Sequence, residues 1–363
     1  MRKVCIIILL LSGFAEIVTA QSPGGFLRTG IVLQQWTIDG IDDAISESTF
    51  PIELMYPIRP NLNVQLSHSP AVSQFGNANL SGLSDTWIRS TYSLPDNRTM
   101  FSVGMGLPTG KTELNNSEMA ITTLLSQNAF KFRLPVFGQG LTISAGAMYA
   151  YPVNDQLTIG TGVNYVYRGN YKLRQDQAEK FDPGDQIGVN AGIDYIVMPQ
   201  LRTTVDIIVN YYLADKMGKT EVFTSGPKLT AKAGFQYQAP FGLLWLRGSY
   251  RHKAKNETWD GQSMAPEPKN TNITQRELDL GSKIPLSDIV MLLVSGEIRS
   301  YVENDVGKGW VDLVGLNLGY DLIITEKLLL NMAVKVFFGD GEFDNENPGM
   351  TGLEFLVGTQ WNF

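Results

Sequence analysis

Cysteine and histidine are nearly absent: the 363 residues hold one Cys and two His. Cys5 lies inside an apolar N-terminal run, so the rest of the chain has neither disulfides nor thiol chemistry. His68 and His252 are the only imidazoles. A hydrolase at a membrane boundary needs a nucleophile beside a histidine base. Ser69 follows His68, but neighbours on a strand point to opposite faces, so that pair does not supply one. No metal spacing or phosphate loop occurs; no cofactor, metal or enzymatic activity is expected. Acidic residues such as Asp340, Glu342, Asp344 and Glu346 read as solvated loop charges rather than a calcium site. Long apolar runs are missing as well: past residue 20 no stretch of about 18 apolar residues could span a bilayer as a helix. Positive charge is not in excess either, and a formal charge of −7 argues against nucleic acid as a partner.

What is present begins at the two ends. Arg2 and Lys3, then the apolar run from Val4 to Leu11, then Val18-Thr19-Ala20, form the three parts of a secretory signal peptide at 1–20. At the other end, Leu353, Phe355, Val357, Thr359, Trp361 and Phe363 alternate with mostly polar residues. A strand with one aromatic-tipped face that ends in phenylalanine resembles the C-terminal signal read by the outer-membrane barrel-assembly machinery. Phe355, Val357, Trp361 and Phe363 are the residues expected to carry that signal. The expected location is the outer membrane of a Gram-negative bacterium, with membrane lipid as a partner.

Between the ends the chain is rich in Gly (36), Phe (17), Tyr (14) and Trp (6), with a mean hydropathy of −0.06. That balance fits a wall with lipid on one face and water on the other. The apolar pattern has period two. In 229–237, Leu229, Ala231, Ala233, Phe235 and Tyr237 share one face, and Thr230, Lys232, Gly234 and Gln236 the other. Segments 157–168 and 187–195 repeat the scheme. About sixteen such segments, among them 49–58, 62–70, 83–94 and 242–253, joined alternately by short turns and long polar loops, predict an all-β fold. It is a single antiparallel up-and-down transmembrane barrel over 21–363; fourteen strands is the alternative. Closure satisfies every backbone hydrogen bond in the lipid layer.

Charges on the polar parity belong in the lumen, because a charge facing lipid is expensive. They are Glu53, Asp85, Arg89, Arg168, Asp194, Asp206, Lys232, Arg247, Arg251, Glu277, Asp279, Lys283, Glu297, Arg299, Asp321, Lys335 and Glu354. Either they tune what passes or they pair across the lumen and stiffen the wall. Residues 108–139 form the longest connection. A short helix over 117–125, capped by Ser117, is expected there. Leu124, Leu125, Phe130, Phe132 and Phe137 give this loop an apolar face. It is a candidate gate, lid, inward constriction or rim-packed loop.

One stretch resembles a known family. Gly82-Leu83-Ser84-Asp85, the strand through Tyr92-Ser93-Leu94, and Phe101-Ser102-Val103-Gly104-Met105-Gly106-Leu107-Pro108-Thr109-Gly110-Lys111 are similar to the outer-membrane "meta-pathway of phenol degradation" proteins, relatives of the FadL-like channels. The similarity covers roughly residues 80–112. FadL-type channels carry an N-terminal plug ahead of their first strand, and here the first strand is expected at 28–38. The resemblance implies passive uptake of small hydrophobic or aromatic molecules. A general diffusion porin, a lipid-modifying barrel enzyme and a structural barrel are the alternatives.

Overall fold

The structure, a computed structural model, describes residues 24–126, 129–132, 138–342 and 346–363. The expected signal peptide, Phe137 of the loop and Asp344 lie outside the described residues. Sixteen strands build one wall. They are β1 Phe26–Ile38, β2 Ile52–Arg59, β3 Leu62–His68, β4 Thr86–Ser93, β5 Thr99–Leu107, β6 Thr142–Pro152, β7 Leu157–Arg168 and β8 Gln186–Met198. The second half is β9 Leu201–Tyr212, β10 Lys228–Ala239, β11 Gly242–Lys253, β12 Thr274–Pro285, β13 Val290–Val302, β14 Val311–Ile323, β15 Leu328–Gly341 and β16 Gly349–Asn362. Neighbours pair antiparallel, and β16 returns to β1 from Phe26↔Asn362 to Ile38↔Met350, closing the barrel. The sixteen-strand expectation stands and the fourteen-strand alternative falls.

Period two decides which side each residue faces. On β7, Ile159, Val163, Tyr165 and Tyr167 are exposed outward while Gly160, Gly162 and Asn164 face in. Connections are short at one end of the barrel, for example between Arg59 and Leu62 or Ala239 and Gly242. Residues Phe26 and Asn362 lie at that same end. The other end, called outer below, carries the long connections. Among the described residues no helix is long and apolar enough to cross a membrane.

Two features depart from a plain cylinder. The expected strands 49–58, 62–70 and 83–94 each break near the outer rim, at Pro51, Ser69 and Ser84-Asp85. Pro51 and Pro70 have no N–H to give a continuing ladder. Phe50 N–H instead donates to the Pro70 carbonyl (3.0 Å) and Ser84 N–H to the Ser69 carbonyl (2.9 Å). Beyond the break, short strands Ile45–Thr49, Pro70–Phe75 and Ala78–Leu83 form a flap that pairs only with the outer half of β1, Val32↔Thr49 to Trp36↔Ile45. The second departure is a separate five-stranded cap over the outer mouth: Phe181–Asp182, Ala214–Met217, Thr220–Thr224, Glu257–Trp259 and Met264–Pro266. These pieces are two to five residues long, too short for a periodic signal.

Candidate functional site

Of the long loop 108–139, the described residues Ala129–Phe132 lie inside the lumen. The base of the loop is held by the two motifs on which the family resemblance rests. The Asp85 carboxylate accepts from the backbone N–H of Gly110 (2.9 Å) and of Gln139 (2.8 Å). Thr109 Oγ1 donates to the Ser84 carbonyl (2.8 Å), and Ser84 Oγ accepts from Ser69 N–H (3.1 Å). Asp85 thus anchors the loop instead of lining an open pore.

Helix α1, Asn116–Leu125, follows. Its N-cap is Asn115, not Ser117. Asn115 Oδ1 accepts from Glu118 N–H (3.0 Å), and the Glu118 carboxylate reaches back to Asn115 N–H (2.9 Å), completing a capping box. Ser117 Oγ only donates to Asn115 Oδ1 (2.7 Å). Lys111 pairs with Glu118. Burial raises the Glu118 carboxyl, but Lys111 and the Asn115 N–H outweigh it and hold the group below the usual carboxylate range. Ile121 and Leu125 are buried with Ile45, Ala71 and Leu80 of the flap, while Leu124 packs at the edge of that cluster.

After the helix, Ala129–Phe132 is pressed against the inner face of β1 and β12–β16. Phe130 is 1% exposed and Phe132 8%. The Phe130 ring lies 5.3 Å from Trp36, which stacks at 5.3 Å on Phe337. Trp36 Nε1–H donates to the Phe130 carbonyl (3.1 Å) and Arg299 to the Ala129 carbonyl (3.0 Å). Gln34 donates to the Lys131 carbonyl (3.3 Å) and to Glu354 (3.1 Å). Lys131 places its ammonium between Glu277 (2.9 Å) and Glu297 (3.0 Å). Glu297 also takes Arg299 and Lys335 (2.5 and 3.3 Å). Lys131 has φ +48°, a left-handed backbone that a non-glycine residue adopts only when its surroundings hold it there.

The opposite half-wall, β6–β9, is thinnest at the middle of β6–β8, where Ser144, Gly146, Gly160, Gly162, Asn164, Gly188, Asn190 and Gly192 face in. Longer inward residues, Arg168, Asp194, Arg202, Asp206 and Tyr212, stand towards the strand ends and on β9. Asparagines lie down over glycines on the next strand: a Cβ at Gly188 would stand 2.1 Å from Asn164 Oδ1, and one at Gly162 2.6 Å from Asn190 Oδ1. Such a face adds little thickness to the wall.

Register puts the remaining charges of the expected set on the inner face. Glu53 takes Arg28 (3.4 Å) and Gln65 (2.6 Å). Arg89 stands opposite Gln65. Asp194 pairs with Arg202, and Asp206 faces Lys232 across β9–β10. Arg247 faces Asp279, which also accepts from Trp245 Nε1 (2.5 Å). Lys283 pairs with Asp321 (2.5 Å). Arg168 donates to Gln186 (2.8 Å) and Arg251 to Gln275 (2.7 Å). Glu277, Glu297, Arg299, Lys335 and Glu354 converge on the loop seat; the others spread around the lumen.

Trp36, Phe337 and Lys131 were not anticipated. The available signal was an aromatic on the water-facing parity: Trp36 alternates with outward Ile31 and Leu33, and Phe337 shares its face with Lys335. Each histidine lies beside a threonine hydroxyl, His68 by Thr86 (2.9 Å) and His252 by Thr274 (3.0 Å). Among the described residues neither ring meets a carboxylate, and no group of three or more His, Cys, Asp or Glu is arranged for a metal. The terminal aromatics Phe355 and Trp361 are exposed outward, and Phe363 packs on Trp361 at 5.8 Å.

No family model matches the chain, and no curated protein matches its sequence. The resemblance over residues 80–112 therefore rests on those residues alone. Among solved structures the chain is similar to OprB of Pseudomonas putida, with 9% identity over 94% of each chain and a TM-score of 0.51. It is also similar to a deltaS2 mutant of the TodX monoaromatic hydrocarbon channel, with 8% identity over 94% of this chain and 91% of that one, at a TM-score of 0.50. At such identities the likeness is one of fold: a closed barrel of the outer-membrane type.

Proposed function

We propose that this chain is a passive outer-membrane channel for small hydrophobic or aromatic molecules, and that its inner loop narrows the lumen. One observation carries the reading. A loop bearing two phenylalanines is pinned across half of the lumen, and the facing half is thinned by glycine and flat asparagine side chains. A wall-filling structural barrel has no use for a thinned half. Both rings are buried in the seat, so the loop narrows the lumen by its bulk, and the apolar substrate class comes from the resemblance over residues 80–112. The residues 80–112 add to this: the motif pair that resembles the phenol-pathway family is the clamp at the loop base. The flat polar half on its own favours a second reading, the general diffusion porin.

Single-channel conductance in planar bilayers separates them. The proposal expects a small conductance in the native protein that rises several-fold when Lys131→Gln releases the loop. It also expects small aromatic solutes to reduce the native current. A large, steady native current, indifferent to Lys131→Gln and to aromatic solutes, establishes the porin and overturns the selective channel.

A further inference from the structure

Most lumen cations near the loop are neutralised. Lys131, Arg299 and Lys335 share Glu297, and Lys283 has Asp321. Four cations at the outer mouth are different. Arg168 on β7, Lys228 on β10, and Arg251 and Lys253 on β11 occupy the outer ends of their strands with inward parity; Lys228 stands directly opposite Lys253 and Thr230 opposite Arg251. Their side chains have neutral hydrogen-bond partners, Arg168 donating to Gln186 (2.8 Å) and Arg251 to Gln275 (2.7 Å), while the Arg168 backbone N–H donates to the Asp185 carboxylate (3.0 Å). Among the described residues none of the four makes an ion pair. Arg168 and Arg251 each act on Lys228 as like charges, and so does Lys228 on Lys253. Asp215 lies in the surroundings of both Arg168 and Lys253, and Glu267 in those of Lys253. Both are already engaged, Asp215 by Gly184 N–H (2.7 Å) and Glu267 by Asn256, through its N–H (2.9 Å), and by Thr271.

Four like charges gathered without a direct ion pair among them cost stability unless something else fills the role. Each of these cations except Arg251 also lies over an aromatic ring. The Arg168 guanidinium is 5.8 Å and the Lys228 ammonium 6.0 Å from the centre of the Tyr212 ring, and the Lys253 ammonium is 5.8 Å from that of Phe223 in the cap. All six side chains are half-buried, so a small solute reaches them from the lumen.

We infer that Arg168, Lys228, Arg251 and Lys253, with Tyr212 and Phe223, form an outer-mouth subsite for a small organic anion, a carboxylate carried on a flat apolar body. The carboxylate supplies the direct ion pairs that the four side chains lack, through charge-assisted hydrogen bonds. The body lies against the rings. An arc of positive potential at the mouth of a low-dielectric tube also raises the local concentration of such a solute. This inference rests on the channel reading and names the substrate class for it.

The test is binding, which does not depend on conduction. Benzoate, benzyl alcohol and inorganic phosphate are titrated calorimetrically into the purified full-length barrel in neutral detergent. The expected result is benzoate binding that weakens at least tenfold in Lys228→Gln and in Arg168→Gln, weakens with added salt, and is unchanged in Arg174→Gln on the outer loops. Heat-dependent gel mobility checks that each variant is folded. Equal affinity for benzyl alcohol, equal affinity for phosphate, or benzoate binding unmoved in folded Lys228→Gln and Arg168→Gln each overturns the subsite. Benzoate binding of the expected kind by a barrel that conducts nothing overturns the channel reading and leaves the subsite standing.

Discussion

The two halves of the inner wall are built from the same alternation and do opposite things. Along β1 and β12–β16, inward residues are long, charged or aromatic, and they reach across to hold Ala129–Phe132. At the middle of β6–β8, inward residues are short, and the asparagines lie flat over glycines. A water-facing parity therefore says only that a side chain avoids lipid. What it meets there depends on a loop that is remote in sequence: Phe130 is 94 residues from Trp36 and Ala129 170 from Arg299. One half seats the loop, and the other holds no loop residue among those described.

The largest test of that contrast is Trp36→Ala. It removes the ring between Phe130 and Phe337 and the donor to the Phe130 carbonyl. Truncating a buried Trp costs about 3–5 kcal/mol. Urea unfolding in lipid vesicles is expected to show the loss, and conductance is expected to rise as the loop leaves its seat. Asp85→Ala comes next. It strips the charged acceptor from two backbone N–H groups at the loop base, one half-buried and one exposed, and each lost hydrogen bond costs about 1 kcal/mol. Faster hydrogen exchange at Gly110 and Gln139 is the readout. If either variant leaves both stability and current unchanged, the loop is not seated on this half.

How much of this was readable from the sequence follows from what each signal depends on. The wall was legible because lipid enforces period two on every strand and turns punctuate it; strands such as 157–168 and 242–253 stand where the alternation put them. The inward set was legible for the same reason. The flap was not, because its three breaks occur at Pro51, Ser69 and Ser84, inside segments whose alternation runs on. The seat was not legible either. Nothing local to Lys131 marks it as the residue that meets Glu277 and Glu297, and the capping choice between Asn115 and Ser117 is settled by Glu118 lying three residues after Asn115.

On the thinned half, Gly188→Ala is expected to act with the opposite sign. Its Cβ would meet Asn164 Oδ1, so the asparagine must swing off the wall into the lumen. The cost in stability is about 1 kcal/mol, near the low end for overpacking, while conductance falls. A rise in current would mean that the flat half is not the path.

The smallest effect belongs to Glu118, and its sign is fixed by linkage. Its carboxyl is held below the ordinary value of 4.5, so the stabilisation it gives the capping box and Lys111 is complete above that value. It is lost as the pH falls further, through the lower value of the folded state. Hydrogen exchange over α1 is therefore expected to be protected at neutral pH and to lose protection in acid, once the pH has fallen past the ordinary value of 4.5, beyond the intrinsic pH dependence of exchange. Glu118→Gln keeps an acceptor for the Asn115 N–H but carries no charge, so its α1 protection should be weaker at neutral pH and flat with acidification. Loss of protection in acid that is as large in Glu118→Gln as in the native chain would place the titrating group elsewhere, and the loop would then be fastened to the flap by contacts other than this cap.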